Sequence, residues 1–564
     1  MDNANISFSL GEYQNSIISA LDKMRRDNII ARVWAKDYTV WKPAPDEIAN
    51  RLGWLDAPAE TLEKINYIRA TLELFTNGSI NDVVLLGMGG SSLAAEVFNK
   101  IFGSAAGYPQ LHIMDTTDPV LISQLTQRLD LEKALFLVSS KSGTTLEITS
   151  LFHYFYNLTM EKMGSSASRH FIFITDKGSS LEELSNKLSL QHVFLSDSNI
   201  GGRYSALSLP GIIPSAIIGV DVEILLLTAM TAAQREKVEN FSGEFAATGA
   251  VLGATLGTLA QKGRNKITFI MSPQWVPLGD WLEQLIAEST GKEGKGILPV
   301  LDEPLADPRV YDQDRLFVFF QNAEDDNSPE IAGLVAAGHP VITIIPNDRY
   351  DLGGQMFIWE MATAVAGHIL GINPFDQPDV EATKKYARLI IDSYREHKGL
   401  NQEAAASTTI ECSVFGEIKG SSANEALKNF LGQARAFDYV CLQVYLSPTT
   451  EVDKALQSLR EKIFAKHGLA VTIGYGPRYL HSTGQLHKGD SGNGLFIQLT
   501  SDDLLDIKIP DRIGVAGSTL TFGALKAAQA QGDWQALIDA GRRVIRFHWK
   551  ANPVAGLKKL AELL

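Results

Sequence analysis

The chain reads as an α/β protein: two doubly wound parallel-sheet domains in αβα layers, with helical extensions at the N- and C-termini. Three observations give that class. Short apolar runs alternate with helical stretches from residue 83 onward, and the alternation resumes after residue 263. Loops rich in Gly and Ser fall where the apolar runs end. Alternation of buried strands with helices is the mark of a parallel sheet, and such sheets bind ligands outside the carboxyl ends of their strands. The 564 residues also exceed the roughly 250–300 that one core can fill, so more than one domain is expected, with a cleft between them.

Residues 1–75 are expected to form a helical arm, with helix signals over Tyr13–Arg25 and Ala59–Leu74. Between these, Arg32–Ile48 is rich in aromatics and prolines and reads as a structural wrap or as a flap over a site. Residues 76–220 carry strand candidates at Val83–Leu86, Leu111–Met114, Leu135–Val138, Phe171–Ile174 and Val193–Leu195. Helical patterns at Ser92–Phe102, Val120–Leu129 and Leu146–Met163 separate most of them. Residues 221–262 read as a helical connection. A second α/β domain is expected over 263–515, with strands at Ile267–Met271, Leu316–Phe320, Val341–Ile345, Val440–Tyr445 and Ala470–Ile473. Its helices are expected at Trp281–Glu288, Gly353–Leu370, Asp379–His397 and Thr450–Lys466, and the polar stretch Gln402–Glu417 reads as a surface loop. In the last part, 516–564, Thr521–Trp549 reads as a helical hairpin turning at Gly532 and Asp533, packed on another domain or on a second copy in a homodimer.

Composition narrows the class of function. Lys and Arg number 51 against 65 Asp and Glu, a formal charge of −14, which argues against non-specific nucleic-acid binding. The two cysteines, Cys412 and Cys441, have no metal-ligand spacing around them and fit a reducing, cytoplasmic setting. MDNANISFSLGEY lacks the pattern of a secretory leader, and the apolar run from Leu225 is too short to span a bilayer.

Six segments carry candidate chemistry. SSKSGTTLEI, Ser139–Ile148, leaves a strand candidate and enters a helix, the arrangement that makes an anion site. Ser140, Ser142, Thr144 and Thr145 offer hydroxyls there, and the absence of a GxxxxGK[ST] run sets a nucleotide P-loop aside. Four short hydroxyls suit a monophosphate on a small molecule. LLGMGGSSLAAEVF, Leu85–Phe98, is a glycine turn after a strand. Its dinucleotide-binding rival would need a ribose-binding acid near Asp115, and the second hydroxyl-rich loop favours a sugar phosphate instead. In NIGGRYSALSLPG, Asn199–Gly211, Arg203 follows two glycines, and its fork suits a phosphate or a developing oxyanion.

The fourth segment is WLEQLIAESTGKEGKGILPV, Trp281–Val300, where the helical pattern leaves Glu288 at a helix end as a candidate general base. Glu283 reads as a solvent-exposed acid. In NPFDQPDVEATKK, Asn373–Lys385, Gln377, Glu381 and Lys384 follow i, i+4, i+7 spacing, with Pro378 at the helix start and an ordinary Glu381–Lys385 ion pair as the competing reading. Finally, GYGPRYLHSTGQLHKGDSGNG, Gly474–Gly494, holds His481 and His487 in a glycine-rich loop. A neutral histidine there can pass a proton to a ring oxygen, and no third ligand stands nearby for zinc.

The strings GMGGSS, SSKSGTT, GGRYS, ESTGK, NPFDQPDVEATK and HSTGQLHKG together resemble the signatures of glucose-6-phosphate isomerases, from about residue 80 to 490. The arm RVWAKDYTVWKP and the tail FGALKAAQAQGD are similar to the branch of that family fused behind a transaldolase, which implies association or fusion with a transaldolase in relatives. The resemblance implies two sugar-isomerase (SIS) domains, a sugar-phosphate substrate, and neither metal nor redox cofactor. It implies phosphate binding by Ser140, Lys141, Ser142, Thr144 and Thr145, with Gly90 and Ser91 of the glycine turn and Gln377 close by. It further implies that Glu288 shuttles the proton between C1 and C2, that Arg203 stabilises the enediolate, and that Lys384 and His481 serve ring opening. The order departs from that of the shorter bacterial relatives: LHSTGQ follows Lys384 here and precedes the lysine motif there. The expected reaction is the interconversion of D-glucose 6-phosphate and D-fructose 6-phosphate. The alternatives are an isomerase specific for mannose or glucosamine 6-phosphate, and a non-catalytic sugar-phosphate-binding regulator.

Overall fold

The computed structural model describes residues 5–237, 248–397, 399, 405–408, 412–417, 420, 422–562 and 564. The alternation read from residue 83 becomes a five-stranded parallel sheet, in the spatial order Gln110–Met114, Asp82–Leu86, Ala134–Ser139, Phe171–Asp176, His192–Ser196. Ala134–Ser139 is buried at every position, as a strand covered by helices on both faces must be.

The second alternation divides in two. Lys266–Met271, Leu298–Val300, Arg315–Phe320 and Val341–Ile345 make a parallel sheet, and Asn5–Ser9 adds to its edge antiparallel to Val341–Ile345. The first strand of the chain therefore comes from an arm expected to be wholly helical. Tyr439–Tyr445 and Ala470–Tyr475 belong to a further, six-stranded sheet. It also contains Gly494–Ser501 and Arg543–Trp549 in parallel, with Cys412–Phe415 and Ser407–Thr408 antiparallel at one edge.

Three expectations change with that sheet. The helical hairpin over Thr521–Trp549 is one helix, Phe522–Asp539, followed by a strand, Arg543–Trp549. The turn comes at Gly541, with φ +68, and the run Val544–Trp549 is β-branched and aromatic, which suits a pleated surface. Gly532 is held inside the helix by packing: a Cβ there would lie 2.8 Å from Ala387 N and 3.1 Å from Thr383 O. The stretch read as a surface loop, Gln402–Glu417, forms strands at 407–408 and 412–415, and its positions 402–404 and 409–411 lie outside the described residues. The helical connection is two helices, Val222–Lys237 and Gly249–Gln261, with 238–247 likewise outside.

The first two sheets share one apolar core with the N-terminal helices. Through it runs Asp351–Leu370, buried on nearly every face, as expected of a helix apolar all round. The segment Arg32–Ile48 proves to be a wrap: Trp41 is buried, and its indole N–H donates to Ala364 O at 2.8 Å. The six-stranded sheet has its own core, with Val440, Leu442, Ile497 and Phe547 fully buried. Helix Phe522–Asp539 packs against Val380–His397 and so joins this third layer to the rest. Among the described residues, no helix is long and apolar enough to cross a membrane.

Candidate active site

The loop after Ala134–Ser139 leads into the helix Leu146–Met163. Thr145 occupies its N-cap and makes no side-chain cap bond, so N–H groups of the first turn remain available to a ligand. Ser142 Oγ and Thr144 Oγ1 lie 2.8 Å apart, Gly143 N donates to Ser140 Oγ at 3.2 Å, and Ser140 Oγ is 3.5 Å from Thr145 Oγ1. Ser142, Thr144 and Thr145 line a cleft of about 170 Å³ whose other walls include Glu147, Lys384, Arg388, His481 and Gln529. Hydroxyls, a helix start and two cations on one small cleft suit a phosphate ester. A larger cavity of about 640 Å³ lies elsewhere, lined by Glu96, Asp115 and Asp280 and by Lys100, Arg128 and Arg478; Lys100 and Arg478 there are already paired with those carboxylates.

His481 enters from the third sheet, on the short helix Arg478–His481 that follows Ala470–Tyr475. Its Nε2 meets Glu147 Oε1 at 2.8 Å. Glu147 is buried. Burial pushes its carboxyl up, but the charge and hydrogen bond of His481, its own backbone N–H and the Gln529 amide outweigh that. The group is held below the ordinary carboxylate value. Lys384, half-exposed on Val380–His397, bonds to Glu381 at 2.7 Å, so Glu381 pairs with Lys384 and not with Lys385 as in the competing reading.

Beside this cleft is a second cluster. Arg203 is almost wholly buried in the short helix Gly202–Tyr204. Its Nε donates to Ser289 Oγ at 2.7 Å and its Nη2 to the carbonyls of Pro374 and Asp376 at 2.7 and 2.9 Å. Nη1 donates to Gln377 Oε1 at 3.1 Å and lies 3.2 Å from Glu288 Oε1. Glu288 sits in the last turn of Val276–Thr290. Gln284, one turn earlier, donates to Glu288 Oε2 at 3.0 Å and to the backbone oxygen of His481 at 2.8 Å. One amide therefore bridges the two clusters.

The motifs interlock at backbone level. A Cβ on Gly90 would fall 2.0 Å from Gly202 O, so only glycine allows the glycine turn to seat against the Arg203 turn; Ser205 Oγ also donates to Gly90 O at 3.2 Å. Gln485 accepts from Asp379 N at 2.9 Å and donates to Asp379 Oδ2 and to Gly291 O. It ties the histidine segment to both the lysine and the glutamate motifs. LHSTGQ thus reaches the site from the third sheet despite its late place in the chain.

Some expected positions point elsewhere. Lys141 bonds to Asp176 Oδ2 at 2.6 Å and Ser198 O at 2.7 Å and does not line the cleft, because Asp176, at the end of the neighbouring strand, captures it. Gln377 precedes the helix, which starts at Val380, so it shares no helical face with Lys384 and turns to Arg203 instead. Ser91 lies in the short helix Gly89–Ser91. His487 is fully buried, 3.5 Å from Cys441 Sγ. Burial foremost, then Lys488 and Arg542, holds it well below the ordinary value, as a neutral core residue. Glu283, read as exposed, is pushed up to about 8 by burial and then by Asp280. Sequence reasoning missed Glu147, Gln284 and Gln529. Glu147 stood within SSKSGTTLEI, where a carboxylate in the first turn was a readable signal.

Comparison with known proteins bears on this constellation. The phosphoglucose isomerase family model matches residues 61–293. A probable glucose-6-phosphate isomerase of Methanococcus maripaludis is 30% identical over 382 residues, covering 60% of this chain and 84% of that protein. The chain belongs to the glucose-6-phosphate isomerase family. The family's Mycoplasmopsis pulmonis member is 30% identical over 381 residues, 59% of this chain and 88% of that one. Among solved structures, a hypothetical protein of Thermus thermophilus superposes with TM-score 0.56 at 25% identity, covering 68% of this chain and 99% of that one. A glucose-6-phosphate isomerase of Chlamydia trachomatis gives TM-score 0.58 at 17% identity, covering 70% and 90%, a likeness of fold. These family members leave about two-fifths of this isomerase-family chain unmatched in sequence.

Proposed function

We propose that the protein interconverts D-glucose 6-phosphate and D-fructose 6-phosphate, with the first two sheets serving as the family's pair of SIS domains. The observation that carries this reading is the Arg203–Glu288 contact of 3.2 Å, joined through Gln284 to the His481 that lines the hydroxyl-rich cleft. A base, an anion clamp and a ring-opening group then lie around one phosphate anchor, which is what aldose–ketose isomerisation requires.

The phosphate sits against Ser142, Thr144, Thr145 and the first turn of Leu146–Met163. His481, with Lys384, handles the protons of ring opening: the ring oxygen gains a proton, the C1 hydroxyl loses one, and the open aldehyde forms. The Glu288 carboxylate then takes the C2 proton. That C–H electron pair becomes the C1–C2 double bond, and the carbonyl pair moves onto O1. Arg203 holds the resulting negative charge, with Gln377 and Ser289 fixing its fork. A proton passes from O2 to O1, Glu288 returns its proton to C1, and the ketose results.

The test is a coupled assay for fructose 6-phosphate without added metal, run in parallel with mannose and glucosamine 6-phosphates. Turnover of glucose 6-phosphate well above the other two is expected. Turnover only of mannose or glucosamine 6-phosphate would assign the site to a sister isomerase. Binding without turnover of any would make the protein a sensor.

A further inference from the structure

Helix Phe522–Asp539 carries FGALKAAQAQGD, outside the residues that the family model matches. Two of its polar residues, Gln529 and Asp533, meet elements of the active site. Gln529 Nε2 donates to Glu147 Oε1 at 2.7 Å, the same oxygen that meets His481 Nε2, and Gln529 Oε1 accepts from Thr117 Oγ1 at 2.9 Å. An ionised carboxylate can only accept, so the amide nitrogen must face Glu147, and the Thr117 hydroxyl then serves the other end. Gln529 also lines the phosphate cleft.

Four residues along the helix, Asp533 is wholly buried. It pairs with Lys488 Nζ at 2.5 Å and accepts from Tyr479 OH at 2.7 Å and Thr383 Oγ1 at 3.3 Å. Tyr479 shares the short helix of His481, and Thr383 precedes Lys384. Gly532 permits the approach to Thr383 and Ala387.

We infer that Gln529 is a positioning residue for ring opening: through Glu147 it fixes the His481 imidazole, and its helix, clamped by Asp533 to the elements bearing His481 and Lys384, is an integral wall of the active site. The geometry separates this from a mere core hydrogen bond. Gln529 spends its donor on the one carboxylate that holds the cleft histidine. Without it, Glu147 loses a donor and the restraint on its rotamer, and the histidine loses a fixed partner. No substrate contact by Gln529 is needed.

The inference rests on the isomerase reading, and its test separates the two. If the unaltered protein does not convert glucose 6-phosphate, the isomerase reading fails first. If it does, Gln529→Met is expected to lower kcat about tenfold while KM stays within about twofold, because the loss falls on a chemical step and not on binding. In a Glu147→Ala background the same substitution is expected to change kcat by less than about twofold, since the route through Glu147 is already gone. An unchanged kcat in Gln529→Met, or equal losses in both backgrounds, overturns the inference. Should Gln529→Met fail to fold, Thr117→Val keeps the question open to test. It removes the hydroxyl that orients the amide, and it is expected to lower kcat about threefold, again only when Glu147 is present.

Discussion

Arg203 Nη1 stands 3.2 Å from Glu288 Oε1, while the rest of the Arg203 fork is bound to Ser289, Gln377 and the carbonyls of Pro374 and Asp376. The cation therefore cannot swing away. Glu288 is held beside a fixed positive charge, and under the proposed reaction the same charge would meet the enediolate.

Glu288→Gln keeps the shape and removes the carboxylate proposed as the base. General-base catalysis contributes about 10²–10⁴-fold, so kcat for glucose 6-phosphate is expected to fall within or beyond that range with KM nearly unchanged. Steady-state kinetics on purified protein checks it; normal turnover would falsify the assignment.

Arg203→Lys keeps the charge and loses the fork. The carbonyls of Pro374 and Asp376 cannot both be met by an ammonium while it also serves Ser289, Gln377 and Glu288. Each buried acceptor left unmet costs about 1–3 kcal/mol. A lower melting temperature and a kcat reduced about 10²-fold are expected together; a variant as stable and as active as the parent would refute the clamp.

In the hydroxyl loop, Ser142→Ala combined with Thr144→Ala removes two side-chain partners for a phosphate and leaves Arg203 and Glu288 intact. KM is expected to rise about tenfold or more, about 1.4 kcal/mol of binding, with kcat changing little. Isothermal titration with inorganic phosphate should show the same loss. Equal affinity in parent and variant would remove the loop from the site.

Glu283 gives a pH dependence of stability. Its folded value is raised to about 8 from 4.5, so between these limits the folded chain holds a proton that the unfolded chain has released. Stability falls as pH rises through that window. Glu283→Gln should therefore melt higher than the parent at pH 8, and the difference should vanish at or below pH 4.5. A difference that grows toward acid pH would reverse the sign.

Gly532→Ala sets two effects against each other. Alanine favours a helix interior over glycine by about 0.8–1 kcal/mol, but its Cβ would lie 2.8 Å from Ala387 N and 3.1 Å from Thr383 O. Overpacking of that kind costs about 1–3 kcal/mol, so a net loss of stability is expected. A rise in melting temperature would show that the two helices can part without penalty.

Much of this was legible in the residues. Ala134–Ser139 is apolar enough to be read as a buried strand, and the first sheet's five strands lie within one or two residues of their expected places. Arg203 and Glu288 were legible as chemistry because glycines and a helix end framed them. The third sheet was not legible. Its strand Arg543–Trp549 pairs with Gly494–Ser501, and nothing local in a short run of mixed apolar and charged residues says which distant strand it will join. Gly532 misled for the opposite reason: glycine signals a turn locally, and here it serves a contact with another helix.

The order of residues by itself determined the α/β class, the hydroxyl loop and the types of group available for proton transfer, because periodicity and turn chemistry act over a few neighbours. Only the tertiary structure decided that His481 reaches Glu147, that Lys141 turns to Asp176, and that helix Phe522–Asp539 brings Gln529 to Glu147. Those outcomes depend on which long-range surfaces bury each other, and side-chain partners follow from that packing.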